Sequence, residues 1–280
     1  MMVKANRLSE NARSYILTIC LLPFLVIMIY PFLYMVASTF KDQVSVITEG
    51  FNLIPKNPTL RGYRIVLSTQ PFLKYFLNSL IVSLTVVAGN MVFSPMAGYA
   101  FAKKAFPGKK SFFILLLSTM MIPVYITLIP IYRTFIALNW MDTYQALIIP
   151  FLAAPVSIFL MRQYIMGLPD EFIQAAKIDG ASELGIFVRI IYPLLGPCMA
   201  VLVINTFLNI WNSFLWPLLF TTESSKWTLM VGLYNYGTYK QQVFNERMVC
   251  ATLAALPTTI VFMFFQKYII SGLTSGAIKG

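Results

Sequence analysis

The chain has 280 residues, of which 58% are apolar and only 11% charged, against roughly 25% charged in an ordinary soluble domain, so water is not its main solvent. Its 21 basic and 10 acidic residues leave a formal charge of +11, but the acids and nearly all the bases fall between apolar runs, which reads as charge flanking a membrane and not as a nucleic-acid surface. There is no histidine, and Cys20, Cys198 and Cys250 stand singly inside apolar runs. That leaves no metal-ligand set, no haem site of the usual kind and no disulfide framework.

A bilayer core about 30 Å thick takes roughly 20 apolar residues of helix, because only a helix closes its backbone hydrogen bonds within one segment. Six runs meet this need, at about 15–40, 75–102, 111–132, 143–161, 190–220 and 248–266, and none contains a charge. The pattern predicts an all-α polytopic membrane protein with about six transmembrane helices, a single transmembrane domain over 1–280. Residues 1–13 before the first run could pass for a leader, but 15–40 stays uncharged too long and lacks an Ala-x-Ala pattern, so a retained first span is expected. Lys103, Lys104, Lys109 and Lys110 form a short loop without an acid, which predicts that this loop is cytoplasmic. Both termini then share that side, in keeping with Lys4, Arg7 and Arg13 at one end and Lys267 and Lys279 at the other. The segments Lys41 to Lys74, around Trp140, and Thr221 to Arg247 fall outside; the first also carries basic residues, so one loop carries the asymmetry. Pro23, Pro95, Pro123, Pro193 and Pro257 lie in or beside the runs, where proline bends a helix; a moving bundle uses such bends and a static one tolerates them.

The second cytoplasmic loop, 162–189, leads into the fifth run through LPDEFIQAAKIDGASELGIFVRIIYPLLGP (168–197). Pro169, Asp170 and Glu171 suit a helix start, since proline fits the first turn and carboxylates favour the positive end of the dipole. Phe172, Ala175, Ala176 and Asp179 fall near helical spacing and predict a narrow face of Phe and small residues that another protein could approach. Gly180 supplies the stop, because glycine accepts the left-handed conformation that ends helices.

Gln174-Ala175-Ala176, three residues, Gly180, nine residues, then Ile190-x-Tyr192-Pro193 resembles the "EAA" loop of permease subunits of binding-protein-dependent ABC importers. Gln174 stands where that pattern has Glu, and Tyr192 where it has Leu. From about Leu77 onward the chain is similar to the shorter permease subunit of the maltose-type carbohydrate branch. The residues behind this are Asn78-Ser79-Leu80, Tyr99 to Lys103 with Phe106-Pro107-Gly108, Ile178 to Ser182, Trp211-Asn212, Trp216-Pro217, and the tail Gly272 to Gly280. The resemblance implies a non-catalytic translocation subunit in a bacterial inner (cell) membrane, importing a carbohydrate, an oligosaccharide first, by alternating access. It implies that Glu171, Gln174, Ala175, Ala176, Asp179 and Gly180, with Pro193 at the next span, form a coupling helix on an ATPase that the tail also contacts. The implied partners are a second permease subunit, giving a heterodimer, two ATPase subunits, an extracytoplasmic solute-binding protein and membrane lipid, with no nucleic acid. No cofactor is expected on this chain; ATP and Mg belong to the ATPase. A sugar- or glycerol-phosphate importer and an ion-coupled secondary transporter are the alternatives.

Two features of the residues bear on this. Gly108-Lys109-Lys110-Ser111 lacks the spacing of a phosphate-binding P-loop. An ion-coupled carrier usually places an ionisable group at the midplane, and an intramembrane enzyme needs a nucleophile with its base, whereas the apolar runs hold neither. Asn205, Asn209 and Asn212 recur at i, i+4 and i+7, which puts three amides on one helix face. They serve either sugar hydroxyls in a translocation path or a neighbouring helix, and Asn78 with Ser79, Ser83 and Asn90 presents the same choice. Trp216 and Trp227 read as interfacial anchors or gate-side packing.

Overall fold

A computed structural model describes the backbone of residues 2–69, 71–239 and 244–277, and the side chains within 15–69, 71–236 and 244–266. The side chains of Lys4, Arg7, Arg13 and Lys267, residue Lys279, and the side chains of the tail lie outside the described residues. All regular structure among the described residues is helical. The helices are α1 (Met2–Ser38), α2 (Gln43–Thr48), α3 (Arg61–Thr69), α4 (Phe72–Lys103), α5 (Lys109–Thr119), α6 (Val124–Ala137), α7 (Tyr144–Ile148) and α8 (Pro155–Met166). They continue as α9 (Glu171–Ile178), α10 (Glu183–Ile186), α11 (Tyr192–Leu194), α12 (Gly196–Trp211), α13 (Leu215–Phe220), α14 (Leu229–Tyr239) and α15 (Phe244–Ala277).

Four stretches are long and apolar enough to cross a bilayer, namely Tyr15–Ser38, Phe72–Lys103, Tyr144–Met166 and Phe244–Gln266. Two bent pairs bring the number to six if each is one span: α5 with α6 at 99°, and Glu183–Leu194 with α12 at 77°. The apolar run at 111–132 therefore does not form one straight helix. Pro123 sits in an extended conformation before α6, and a proline pushes the residue ahead of it out of the helical region, so α5 ends at Thr119. The run at 190–220 likewise divides, with α12 ending at Trp211 and α13 starting anew at Leu215. Proline also interrupts Tyr144–Met166, where a 3₁₀ turn at Ile149–Phe151 joins α7 to α8, which starts on Pro155. Helices also outrun the apolar runs. α15 begins at Phe244, so Glu246 and Arg247 are helical, ahead of the run read as starting at residue 248.

The chain forms two compact units, Met1–Pro71 with Tyr236–Ala255, and Phe72–Asn235 with Leu256–Gly280. In the first, Asn245 donates from Nδ2 to the carbonyls of Ser38 (2.9 Å), Thr39 (3.3 Å) and Lys41, holding the end of α1 to the start of α15. Lys41 is fully buried, yet its ammonium reaches the Asn52 carbonyl at 2.6 Å and the Glu49 carboxylate at 3.5 Å, which offsets desolvation.

In the second unit, α4 lies along α8 and α12. Lipid supplies no hydrophobic drive between helices, so close packing and side-chain hydrogen bonds must hold them. Gly98 provides the first: a Cβ there would lie 2.7 Å from Met161 Cβ and 3.0 Å from the Arg162 amide nitrogen. Asn90 provides the second, donating to the Phe151 carbonyl at 2.6 Å and accepting from the Ala154 amide at 3.1 Å. We expect Gly98→Ala to push α8 away and cost about 1–3 kcal/mol, seen as a lowered thermal unfolding midpoint in mild detergent. An unchanged midpoint would show that α8 is not held at this distance by the glycine.

Candidate coupling segment and polar helix face

The segment from Leu168 to Leu195 is built onto the end of α4. Lys103, in the last turn of α4, donates to the Leu168 carbonyl at 2.7 Å and to Asp170 Oδ1 at 2.6 Å, gripping the chain just before α9. Lys104 pairs with Glu183 at the start of α10 and lies 4.8 Å from the centre of the Tyr99 ring. Burial works against the charge on Lys104, but hydrogen bonds to Glu183 and Tyr99 outweigh it and hold its pKa above the usual lysine value.

α9 ends as the glycine predicts. Gly180 has φ +76°, the Ala181 N–H donates to the Ala176 carbonyl at 2.9 Å, and the Gly180 N–H donates to the Lys177 carbonyl at 3.1 Å. These are the paired 6→1 and 5→2 bonds of a Schellman stop. Ser182 then caps α10, accepting from the Gly185 N–H at 3.2 Å.

The faces of α9 differ from the sequence expectation at one residue. Ala176 does not share an outward face with Phe172, Ala175 and Asp179; it is buried beside Ile173, in a core with Tyr99, Met161, Ile165, Ile186 and Ile191. Ile173 and Ala176, at i and i+3, form the apolar stripe that seats the helix. The outward side carries Glu171, Phe172, Gln174, Ala175, Lys177, Ile178 and Asp179. Ile178 is 86% exposed and Phe172 47%, a placement that hydrophobic burial within this chain does not explain. Beyond α10, Phe187–Ile191 is a π-helical turn, followed by Tyr192 and Pro193 in α11 and the 77° bend into α12. Proline without an N–H accounts for the loss of regular bonding there.

The candidate path residues separate into two groups. Asn78 is buried, with Nδ2 donating to the carbonyls of Ser225 (3.1 Å) and Trp227 (2.9 Å) and Oδ1 accepting from the Tyr144 hydroxyl (2.7 Å). Its hydrogen-bonding capacity is spent on tying loop 221–228 to α4. Ser79 accepts from the Leu229 N–H at 2.8 Å and Asn90 bridges α4 to the chain before α8. Asn205, Asn209 and Asn212, by contrast, are all exposed along one side of α12. Asn209 donates to Asn205, at 2.7 Å from its carbonyl and 3.1 Å from its Oδ1. Trp216 is packing: its ring touches Phe135, Phe151 and Phe220, and its Nε1–H donates to the Ala146 carbonyl at 3.0 Å.

Several holding groups gave no motif to read. Asp142 has φ +56° and accepts from the Thr222 N–H (2.6 Å), the Thr222 hydroxyl (2.6 Å) and the Glu223 N–H (2.7 Å), clasping two loops together. Glu246 is buried and accepts from the Tyr236 hydroxyl. Lys103 and Lys104 announced a topology and not a contact; only their place at the end of an apolar run, opposite the acids of 170–183, could have shown it.

With this geometry in hand, comparison with known proteins is decisive. The family of inner membrane components of binding-protein-dependent transport systems matches residues 94–275. Over 279 residues, covering 98% of this chain and 100% of the relative, the chain is 37% identical to the arabinooligosaccharides transport system permease protein AraQ of Halalkalibacterium halodurans. It is 32% identical over 260 residues to the trehalose/maltose transport system permease protein MalG of Thermococcus litoralis, covering 91% and 93% of the two chains. Its fold is that of a chain in the crystal structure of a bacterial ABC transporter involved in the import of the acidic polysaccharide alginate, with TM-score 0.80, 22% identity and coverage of 93% and 97%. The protein is a multi-pass membrane protein, and it belongs to the family of inner membrane components of binding-protein-dependent transport systems.

The Asp142 clasp gives a pH-dependent expectation. Burial raises the Asp142 pKa, but the Thr222 hydroxyl and the Glu223 and Thr222 amides lower it by more, leaving it below the usual carboxylate value of 3.8. A carboxylate depressed on folding stabilises the fold above its unfolded pKa and loses that contribution as pH falls through the folded one. Wild type should therefore unfold at higher temperature than Asp142→Asn at pH 6, with the gap closing below about pH 4. A gap that stays constant down to acid pH would mean that charge on Asp142 is not what holds the loops.

Proposed function

We propose that this chain is the translocation subunit of an ATP-driven importer of a neutral carbohydrate, an oligosaccharide, and that α9 is the surface on which a separate ATPase acts. The observation that carries the reading is the two-sided build of α9. Ile173 and Ala176 are seated in the core while Phe172, Ala175 and Ile178 are presented outward. An outward apolar surface on a short helix with a fixed base is what a groove in another protein takes. Force on it reaches α4 through Lys103–Asp170 and α12 through α10 and the π turn. Gln174 in place of a carboxylate leaves packing, rather than an ion pair, as the means of attachment. Glu171 and Asp179 border the same surface, Gly180 sets the angle at which the chain leaves it, and Pro193 marks where the motion enters the bent span.

The orientation follows from the lysine loop, with segment 162–189 and both termini cytoplasmic. ATP and Mg would be held by two ATPase subunits. A second permease chain would complete the path, and a solute-binding protein would deliver substrate on the outer side. Amides exposed to lipid would lack partners, so the side of α12 carrying Asn205, Asn209 and Asn212 fits an aqueous path or the facing permease. An amide donates and accepts without charge, which suits sugar hydroxyls. Among the similar permeases, those named for arabinooligosaccharides and for trehalose and maltose support this reading, while permeases named for sn-glycerol-3-phosphate, 33–34% identical over 74% of this chain, support the phosphate alternative.

Ala175→Arg, on the exposed side of α9, should leave thermal stability and membrane insertion intact while lowering uptake of the transported sugar by at least about tenfold, a coupling loss of roughly 1.4 kcal/mol or more. The measurement is solute uptake by cells carrying the complete transporter. Uptake at the wild-type rate, with the variant present in the membrane, would remove α9 as the coupling surface.

A further inference from the structure

Where α4 ends and α5 begins, a cavity of about 400 Å³ opens between α4, α5 and α8, lined by Phe101, Lys109, Lys110, Phe113, Ile114 and Arg162. Three cations meet an aromatic and aliphatic wall there. Lys103 and Lys104 take Asp170 and Glu183 as partners, and neither Lys109, Lys110 nor Arg162 is paired with a carboxylate among the described residues. Two of the three are held in place. Lys109 donates to the Lys104 carbonyl at 2.6 Å, and Arg162 donates from Nε to the Phe101 carbonyl at 3.3 Å while its guanidinium lies 4.0 Å from the centre of the Phe113 ring. Lys110 is exposed. The guanidinium is thus pre-oriented with donors to spare, and an ammonium stands free beside it.

The position decides what such a site would take. α4 runs to Lys103 and α5 starts at Lys109, so the cations lie at the end of two apolar helices, where lipid headgroups sit. Phe113 is partly buried and Ile114 is 55% exposed, one turn further along α5. They continue the cavity as an apolar wall in the direction of the acyl chains. We infer that this cavity binds an anionic phospholipid, with the phosphodiester between Lys109, Lys110 and Arg162 and an acyl chain along Phe113 and Ile114. A soluble phosphate would use the cations and leave the wall idle.

The test uses the full chain purified in mild detergent. Native mass spectrometry would count retained lipid after addition of phosphatidylglycerol, or of phosphatidylcholine with the same acyl chains. Wild type should retain the anionic lipid preferentially, and Lys110→Gln with Arg162→Gln should lose about fivefold in that preference for each cation removed. The control, Lys56→Gln with Arg64→Gln, removes the same charge from exposed positions elsewhere and should keep the preference; an equal loss there would reduce the effect to net charge and overturn the site. Inorganic phosphate at about tenfold excess should not displace the lipid, and full displacement would assign the cavity to a free phosphate. Should the double variant fail to fold, spin-labelled phosphatidylglycerol on wild type decides the same question. Its immobilised fraction should fall in about 1 M salt, where charges are screened beyond about 3 Å, and indifference to salt would overturn the proposal.

Discussion

Gly98 allows the backbone of α4 to come within side-chain reach of the backbone of α8, and the rest of the second unit is arranged around that approach. In a bilayer such closeness is worth more than apolar character, because lipid solvates leucine as well as another leucine does. Once α8 is fixed against α4, Asn90 can reach the Phe151 carbonyl and the Ala154 amide across the broken turn that precedes α8. The same contact places Met161 and Ile165 where Ile173 and Ala176 can settle on them. The segment carrying α9 is therefore seated on the helix pair itself and not on a loop.

Charge completes what packing begins. Lys103 and Lys104 are consecutive, yet they point to different parts of the segment: one holds the chain just before α9 and the other the first residue of α10. Two adjacent cations at the end of one membrane helix thus bracket α9 at both ends. Partly exposed pairs of this kind add little to stability. Their contribution is to position, since α9 has only two buried side chains of its own to fix its angle.

The helical class, the apolar runs and the short helix α9 with its stop were legible because each rests on a local rule: run length against bilayer thickness, and glycine and proline at fixed offsets. Gly180 ended α9 as read, and the sequence motif that carries the family resemblance falls within the matched region. What was not legible depended on which residues meet. Ala176 looked like a docking residue because alanine is small, but a small side chain serves equally to let a helix sit close to its own core. Asn78 and Asn209 are identical in composition terms and opposite in use, one buried with three partners from distant segments and the other exposed beside its neighbour of the previous turn. The bends at Pro123 and Pro193 were marked by residue type, while their angles of 99° and 77° belong to the packed chain. Glu246 escaped notice because it lies just ahead of an apolar run, where a charge ordinarily means solvent.

The stop at Gly180 has an implication for which sequences this segment can accept. A Cβ at that position would meet no atom of this chain within 4 Å, so within the chain the glycine is required by its backbone angle and not by crowding. The position filters residues by conformation: asparagine, which visits the left-handed region readily, meets its demand at small cost, while a β-branched residue of similar bulk does not. Drift at residue 180 among permeases of this kind should follow the left-handed propensities of the amino acids and be indifferent to their volume.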